Sequence, residues 1–162
     1  MENKVVPINP SVSTERRNGV ENEKAIEAFA DFFSNLTEDS VQLKIDKVYS
    51  GDAYLNDTLK EHRGLDSIRD YFIQTARSVN SCRVKIDDIA RSGDDYYVRW
   101  TMDVQFKSLN RGKVCRSIGM SLLRFNPQGL INYHQDFWDS TSGFFEYVPI
   151  VGRLIRTIKS RI

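Results

Sequence analysis

Apolar residues recur along this chain at two spacings, and the change of spacing divides it. Over about residues 21–36, Ile26, Phe29, Ala30 and Phe33 fall three and four apart, which predicts an amphipathic helix. Thr37 then has the chemistry of an N-cap for a short second helix, with Glu38 and Asp39 in its first turn. Val41 and Leu43 carry the apolar side of that helix towards Ile45 and Val48. Tyr49–Asp52 reads as a turn, 53–57 as a short strand and 58–63 as a loop. Gly64-Leu65-Asp66-Ser67 opens a third helix, with Asp66 as its expected cap. Ile68, Tyr71, Phe72, Thr75 and Ala76 form its core-facing stripe.

From Ser81 the period drops to two. Val84 and Ile86 alternate with Arg83, Lys85 and Asp87, and Ser92–Asp95 is a turn. Over 96–106, Tyr96, Val98, Trp100, Met102, Val104 and Phe106 share one face and polar residues the other. A polar turn at 108–112 leads to a strand over about 114–125. A tight turn at Asn126-Pro127-Gln128-Gly129 leads to a last strand over about 130–138. Three helices followed by consecutive strands, expected to be antiparallel throughout, make an α+β layout. The helices then pack on one side of a curved sheet.

At 162 residues the chain suits one domain with a real core. Its net charge of +1 gives no whole-chain footprint for nucleic acid. Cys82 and Cys115 match no metal spacing, and two isolated cysteines point to a reducing compartment. The N-terminal stretch lacks the apolar run of a secretory signal, and no segment reaches a membrane span of about 18 apolar residues. The expected setting is the cytoplasm, and residues 1–20 are expected to be a flexible lead-in. No GxGxxG or GxxxxGK occurs, so no cofactor is expected. Two histidines without a cysteine cluster make a poor metal set, leaving His134 and Asp136 at most a partial one.

The candidate chemistry lies on the last strand. His134, Asp136 and Trp138 occupy alternate positions and project from one face. The other face carries Ile131, Tyr133, Gln135 and Phe137. Both faces have apolar content, so the strand alone leaves open which one looks inward, and a one-residue error would exchange them. The polar face can line a pocket, or meet solvent or a partner.

Several pieces, in this order, resemble the nuclear transport factor 2-like superfold and its polyketide-cyclase (SnoaL-like) and ketosteroid-isomerase-like group. They are the amphipathic first helix, the segment AYLND, Gly64 leading into LDSIRDYF, the pair ending GMSLLRFNPQGLI, and the terminal FWD. The resemblance covers about residues 22–140, with the domain bounded at 21–140. It implies a cone, in which a bent sheet wraps around the helices and leaves an apolar cavity, and a homodimer formed through the sheet. It also implies a carboxylate acting as general base in that cavity. Asp136 is the candidate, assisted by His134, with Trp138 as an apolar wall. Trp100 and Met102 are core residues that a cone would also use as cavity wall. Tyr54 and Asp57 stand where the family places groups at the cavity mouth, although Asp57 by itself reads as an Asx-type turn. His62 reads as a solvated loop residue.

Residues 141–162 form a separate basic segment. Over 150–162, Ile150, Val151, Leu154, Ile155, Ile158 and Ile162 fall on one helical face. Arg153, Arg156, Lys159 and Arg161 spread over the rest. Such a helix can pack on its own domain or a dimer mate, or dock on a partner protein or a membrane surface. Two functions follow from these residues. One is a binding or scaffold protein holding a small apolar molecule. The other is an isomerase- or cyclase-type enzyme using Asp136 and His134. Fold alone does not choose between them.

Overall fold

The computed structural model describes residues 15–161. Helix α1 spans Glu15–Ser34, so it starts within the stretch expected to be a lead-in. Residues 1–14 of that stretch lie outside the described residues, as does Ile162. Helix α2 (Glu38–Lys44) is capped as its sequence predicts. Thr37 Oγ1 accepts from the Ser40 amide at 3.1 Å, and Ser40 Oγ accepts from the Thr37 amide at 2.9 Å. Val41 is buried, but Leu43 faces solvent, because two residues along a helix turn the side chain about 200° away. A 3-10 turn at Ile45–Lys47 follows.

Strand β1 runs Tyr49–Asn56, so the expected turn at Tyr49–Asp52 is part of a strand. Its turn-like composition belongs to an irregularity: Tyr49 pairs with Ile131 and Tyr54 with Tyr133, leaving residues 50–53 opposite one residue of the neighbour. The expected loop at 58–63 contains a short edge strand, β2 (Glu61–Arg63), which pairs with β1. Its charged residues suit an exposed edge and hid it in the sequence. Helix α3 (Leu65–Ser78) is capped by Gly64 at φ +80°, not by Asp66. Gly64 donates its amide to the Ala53 carbonyl at 2.8 Å, and Asp66 pairs with Arg69 in the first turn.

Long strands follow: β3 (Val79–Ser92), β4 (Asp95–Phe106), β5 (Val114–Phe125) and β6 (Ile131–Trp138). The Asn126–Gly129 turn forms as expected, with Asn126 Oδ1 accepting from the amides of Gln128 and Leu130, and Gly129 at φ +76°. The six strands make one curved, open sheet in the order β2-β1-β6-β5-β4-β3. The expectation of antiparallel pairing throughout fails at one place: β1 lies parallel to β6, which brings the start of the chain's sheet beside its end. Such a long-range pairing leaves no local trace in sequence.

Helices α1 and α3 pack on the concave face. Phe29, Phe32, Ile68 and Phe72 meet Val98, Leu123 and Ile131 in one buried cluster, and the Phe32 and Phe72 rings lie 5.5 Å apart. The two cysteines are free and buried. Helix α4 (Ser140–Gly143), a 3-10 turn at Phe145–Tyr147, and helix α5 (Val151–Lys159) complete the fold. Among the described residues no helix is long and apolar enough to cross a membrane.

Candidate functional site

The alternation of β6 places His134, Asp136 and Trp138 on the concave side, while Phe137 is 50% exposed on the other. A bulge makes this compatible with a buried Ile131. Phe125 pairs with Ile131 but Arg124 with Tyr133, so Asn132 is an extra residue and the facing changes after it. Across the ladder, Ser121 of β5 lies opposite Asp136, and Gly119 opposite Trp138. Gly119 also lies opposite Trp100 of β4. A side chain there would meet the Trp100 ring and come within 2.8 Å of Trp138 Cβ, so the absence of one makes room for both indoles.

These residues form a chain of hydrogen bonds. Tyr49 is fully buried, and burial, with the nearby Asp136 charge second, holds its phenol pKa well above the ordinary value. It therefore stays protonated and donates to His134 Nδ1 at 2.7 Å. The network assigns the remaining imidazole proton to Nε2, which donates to Asp136 Oδ1 at 2.8 Å. Ser121 Oγ donates to the same carboxylate oxygen at 2.5 Å and accepts from Trp100 Nε1 at 2.9 Å. The His134 side chain is 3% exposed and that of Asp136 17%. Asp136 Oδ2 has no hydrogen-bond partner among the described residues.

A second polar group borders the same space. Asp57 Oδ1 accepts from the amides of Leu59 and Lys60, which is the Asx turn its sequence suggests. Its Oδ2 accepts from the Tyr71 hydroxyl, and its carbonyl accepts from Trp138 Nε1 at 2.7 Å. Burial first, and the Asp57 charge second, push the Tyr71 pKa upward, so Tyr71 too remains a donor. His62 is half-buried. Its ring stacks on Tyr71 with centroids 4.5 Å apart, and Nδ1 lies 3.1 Å from Ser67 Oγ.

Between these groups lies a pocket of about 220 Å³. Phe29, Phe33, Leu55, Phe72 and Val104 supply apolar wall, and Asp57, Tyr71, Ser121, His134 and Asp136 supply polar groups. Trp100, Met102 and Trp138 line it as well. Tyr54 does not. It alternates with the buried Ala53 and Leu55, and so falls on the outer face. There it stacks on Tyr133 and donates to Glu61. Tyr49 and Ser121 belong to the polar chain, but their positions in sequence do not single them out. Tyr49 was hidden in turn-like composition. Ser121 was hidden because the Asn132 bulge shifts the register that counting back from the hairpin turn would give. Among the described residues, no three His, Cys, Asp or Glu side chains gather as a metal set would.

A family model described as the SnoaL-like domain matches residues 26–134. A search of curated proteins finds no match. Several solved structures share the fold. One is a protein with a ketosteroid isomerase-like fold from Catenulispora acidiphila, in complex with trimethylamine. It is 16% identical with a TM-score of 0.63, and the match covers 74% of this chain and 88% of that one. An LEH-like epoxide hydrolase of M. tuberculosis is also 16% identical with a TM-score of 0.63, covering 85% and 97%. An NTF2-like protein of unknown function from Exiguobacterium is 18% identical with a TM-score of 0.60, covering 71% and 98%. At these identities the likeness is one of fold. With the family model spanning most of the concave sheet and its helices, this chain belongs to the SnoaL-like domain family, on an NTF2-like cone.

Proposed function

We propose that the pocket binds a small, largely apolar molecule carrying a carbonyl group, and that Asp136 moves a proton on it. The observation that carries this reading is the asymmetry of the carboxylate. Oδ1 is held by His134 and Ser121, while Oδ2 is left without a partner beside an apolar pocket. A base so held is oriented before the substrate arrives. In the proposed step, the bond between hydrogen and the carbon next to the carbonyl breaks, and the proton passes to Asp136 Oδ2. The electron pair spreads onto the carbonyl oxygen. Asp136 then returns the proton to a different carbon, so the net reaction is an isomerisation. His134 is a positioning residue, its Nε2–H fixed by the Tyr49 donor at Nδ1. The Tyr71 hydroxyl lines the pocket, and on exchanging Asp57 for the substrate oxygen it supplies a hydrogen bond to the developing charge. A volume of about 220 Å³ lies below the range of about 300–1,000 Å³ typical of pockets for drug-sized ligands, which favours a single-ring substrate.

The test uses 3-cyclohexenone, whose double bond moves into conjugation when a proton is shifted, with ultraviolet absorbance as the readout. Turnover by the native chain is expected to fall about a hundredfold or more in Asp136→Asn. Equal turnover in the two proteins would refute the role of Asp136. A second reading is binding without chemistry, favoured by the predominantly apolar wall and by the bonds that already engage Asp136 Oδ1. Shifts of the Trp100 and Trp138 indole signals on adding 2-cyclohexenone, with no turnover of 3-cyclohexenone, would support it.

A further inference from the structure

Helix α5 is amphipathic, but it faces the wrong way for a helix that belongs to a core. Its small and polar side is the one pressed on the protein. Gly152 is buried, and a Cβ there would overlap the Glu146 carbonyl group, with its carbon only 2.6 Å away. Arg156 Nη1 donates to that same carbonyl at 2.8 Å, and Lys159 bonds the Glu146 carboxylate and Ser142 Oγ. The apolar side points outward. Ile150, Val151, Leu154 and Ile158 are 85%, 39%, 61% and 54% exposed. Packing of this face on the chain's own sheet, one of the options its sequence left open, is therefore not what the fold does. Water is a poor neighbour for four clustered aliphatic side chains.

The charge around the stripe identifies what covers it. Between Glu146 and residue 162 the chain has four cations, Arg153, Arg156, Lys159 and Arg161, and no acid. The whole chain has a net charge of +1, so the rest of it is net negative and the positive charge is concentrated here. Glu146 itself is already engaged by Lys159. Seen down the helix, Arg153 and Arg161 lie towards one border of the apolar stripe and Lys159 towards the other. Aliphatic side chains bordered by cations match a surface that is apolar below and anionic at headgroup level. We propose that α5 lies in the interface of an anionic lipid bilayer, with Leu154 and Ile158 among the acyl chains and Arg153 and Arg161 at the headgroups.

The test is co-sedimentation of the full chain with vesicles of phosphatidylcholine alone and of phosphatidylcholine mixed with phosphatidylserine. Binding is expected only to the mixed vesicles, and is expected to weaken as salt is raised. A Leu154→Asp/Ile158→Asp double variant should bind about tenfold or more weakly. Its thermal midpoint should match the native chain, because both side chains are already exposed. An Arg153→Glu/Arg161→Glu variant should also bind more weakly. Absence of binding to the mixed vesicles would overturn the proposal, as would equal binding by the aspartate variant. A native dimer in light scattering that Leu154→Asp dissociates would overturn it too, by assigning the face to a second copy of the chain. None of these outcomes depends on turnover in the pocket.

Discussion

Replacing Tyr49 by Phe removes one oxygen and leaves the ring. Tyr49 and His134 are both almost wholly buried, and the phenol is the hydrogen-bond partner of His134 Nδ1. The substitution opens no significant cavity and keeps the stacking of the two rings, whose centroids are 6.0 Å apart at 16°. What remains is a buried acceptor without a donor, which costs about 1–3 kcal/mol. The imidazole cannot escape this by moving its proton to Nδ1, because Nε2 would then turn a lone pair towards the Asp136 carboxylate. For a domain of this size that cost lowers the thermal midpoint by roughly 2–12 °C. Urea unfolding followed by circular dichroism measures the free energy, and ¹⁵N chemical shifts of the imidazole report the tautomer. The native protein should show hydrogen on Nε2. A native spectrum with hydrogen on Nδ1, or a Tyr49→Phe variant as stable as the native chain, would refute the assigned direction of the whole hydrogen-bond chain.

Two further predictions come from the same interior. Burial raises the Cys82 thiol from 9.0 to about 12 and holds the Tyr49 and Tyr71 phenols above their ordinary 10.0. The unfolded chain loses these protons first, so above pH 9 the native state binds more of them. Stability must then fall as pH rises, beginning near pH 9 and steepening above 10, by up to about 1.4 kcal/mol per pH unit for each group. Urea midpoints that stay level from pH 8 to pH 11 would contradict this. Gly119→Ala places a methyl group into the Trp100 ring and within 2.8 Å of Trp138 Cβ. It should destabilise the fold by about 1–3 kcal/mol and shift both indole N–H resonances, and an unchanged midpoint would show that the wall yields.

How far sequence reaches depends on whether a feature is local. Strands β4 to β6 announce themselves because one face is largely inward, and the residues of β4 from Tyr96 to Trp100 alternate cleanly between buried and exposed or half-buried. The Thr37 cap and the Asn126 turn are equally local and form as their chemistry dictates. The start of β1 is not local: it gains strand conformation from β6, far along the chain, against a composition that favours turns. The edge strand β2 pairs with β1 just across the loop 57–60, and it is the charged composition of Glu61–Arg63 that conceals it. The site divides along the same line. Alternation groups His134, Asp136 and Trp138, but it cannot choose between inside and outside, since Tyr133 and Phe137 are as hydrophobic as the residues that face in. Ser121 and Tyr49 join them only through register, which a bulge alters.

That bulge also accounts for where the polar chain sits. Were Asn132 a regular ladder residue, the alternation that buries Ile131 would turn His134, Asp136 and Trp138 to the convex face; as the extra residue of a bulge it is skipped. With it, Ile131 closes the core at one end of β6 while the next three inward positions carry polar or indole groups. Opposite the bulge, residues 50–53 of β1 take up the mismatch, and the Ser50 hydroxyl there is shared between Asp52 Oδ1 at 2.8 Å and the Ile131 carbonyl at 3.2 Å. Two irregularities on adjacent parallel strands bend the sheet at the same level, and bulges sharpen twist where they occur. The bend sets Tyr49 beneath His134 at hydrogen-bond distance, with Leu55 beside it in the ladder. A carboxylate, an imidazole and a phenol are thus placed in line at the bend by backbone geometry that a regular pair of strands would not produce. Their burial is supportable because each donor in the line meets an acceptor, leaving Asp136 Oδ2 as the one oxygen of the carboxylate without a partner among the described residues.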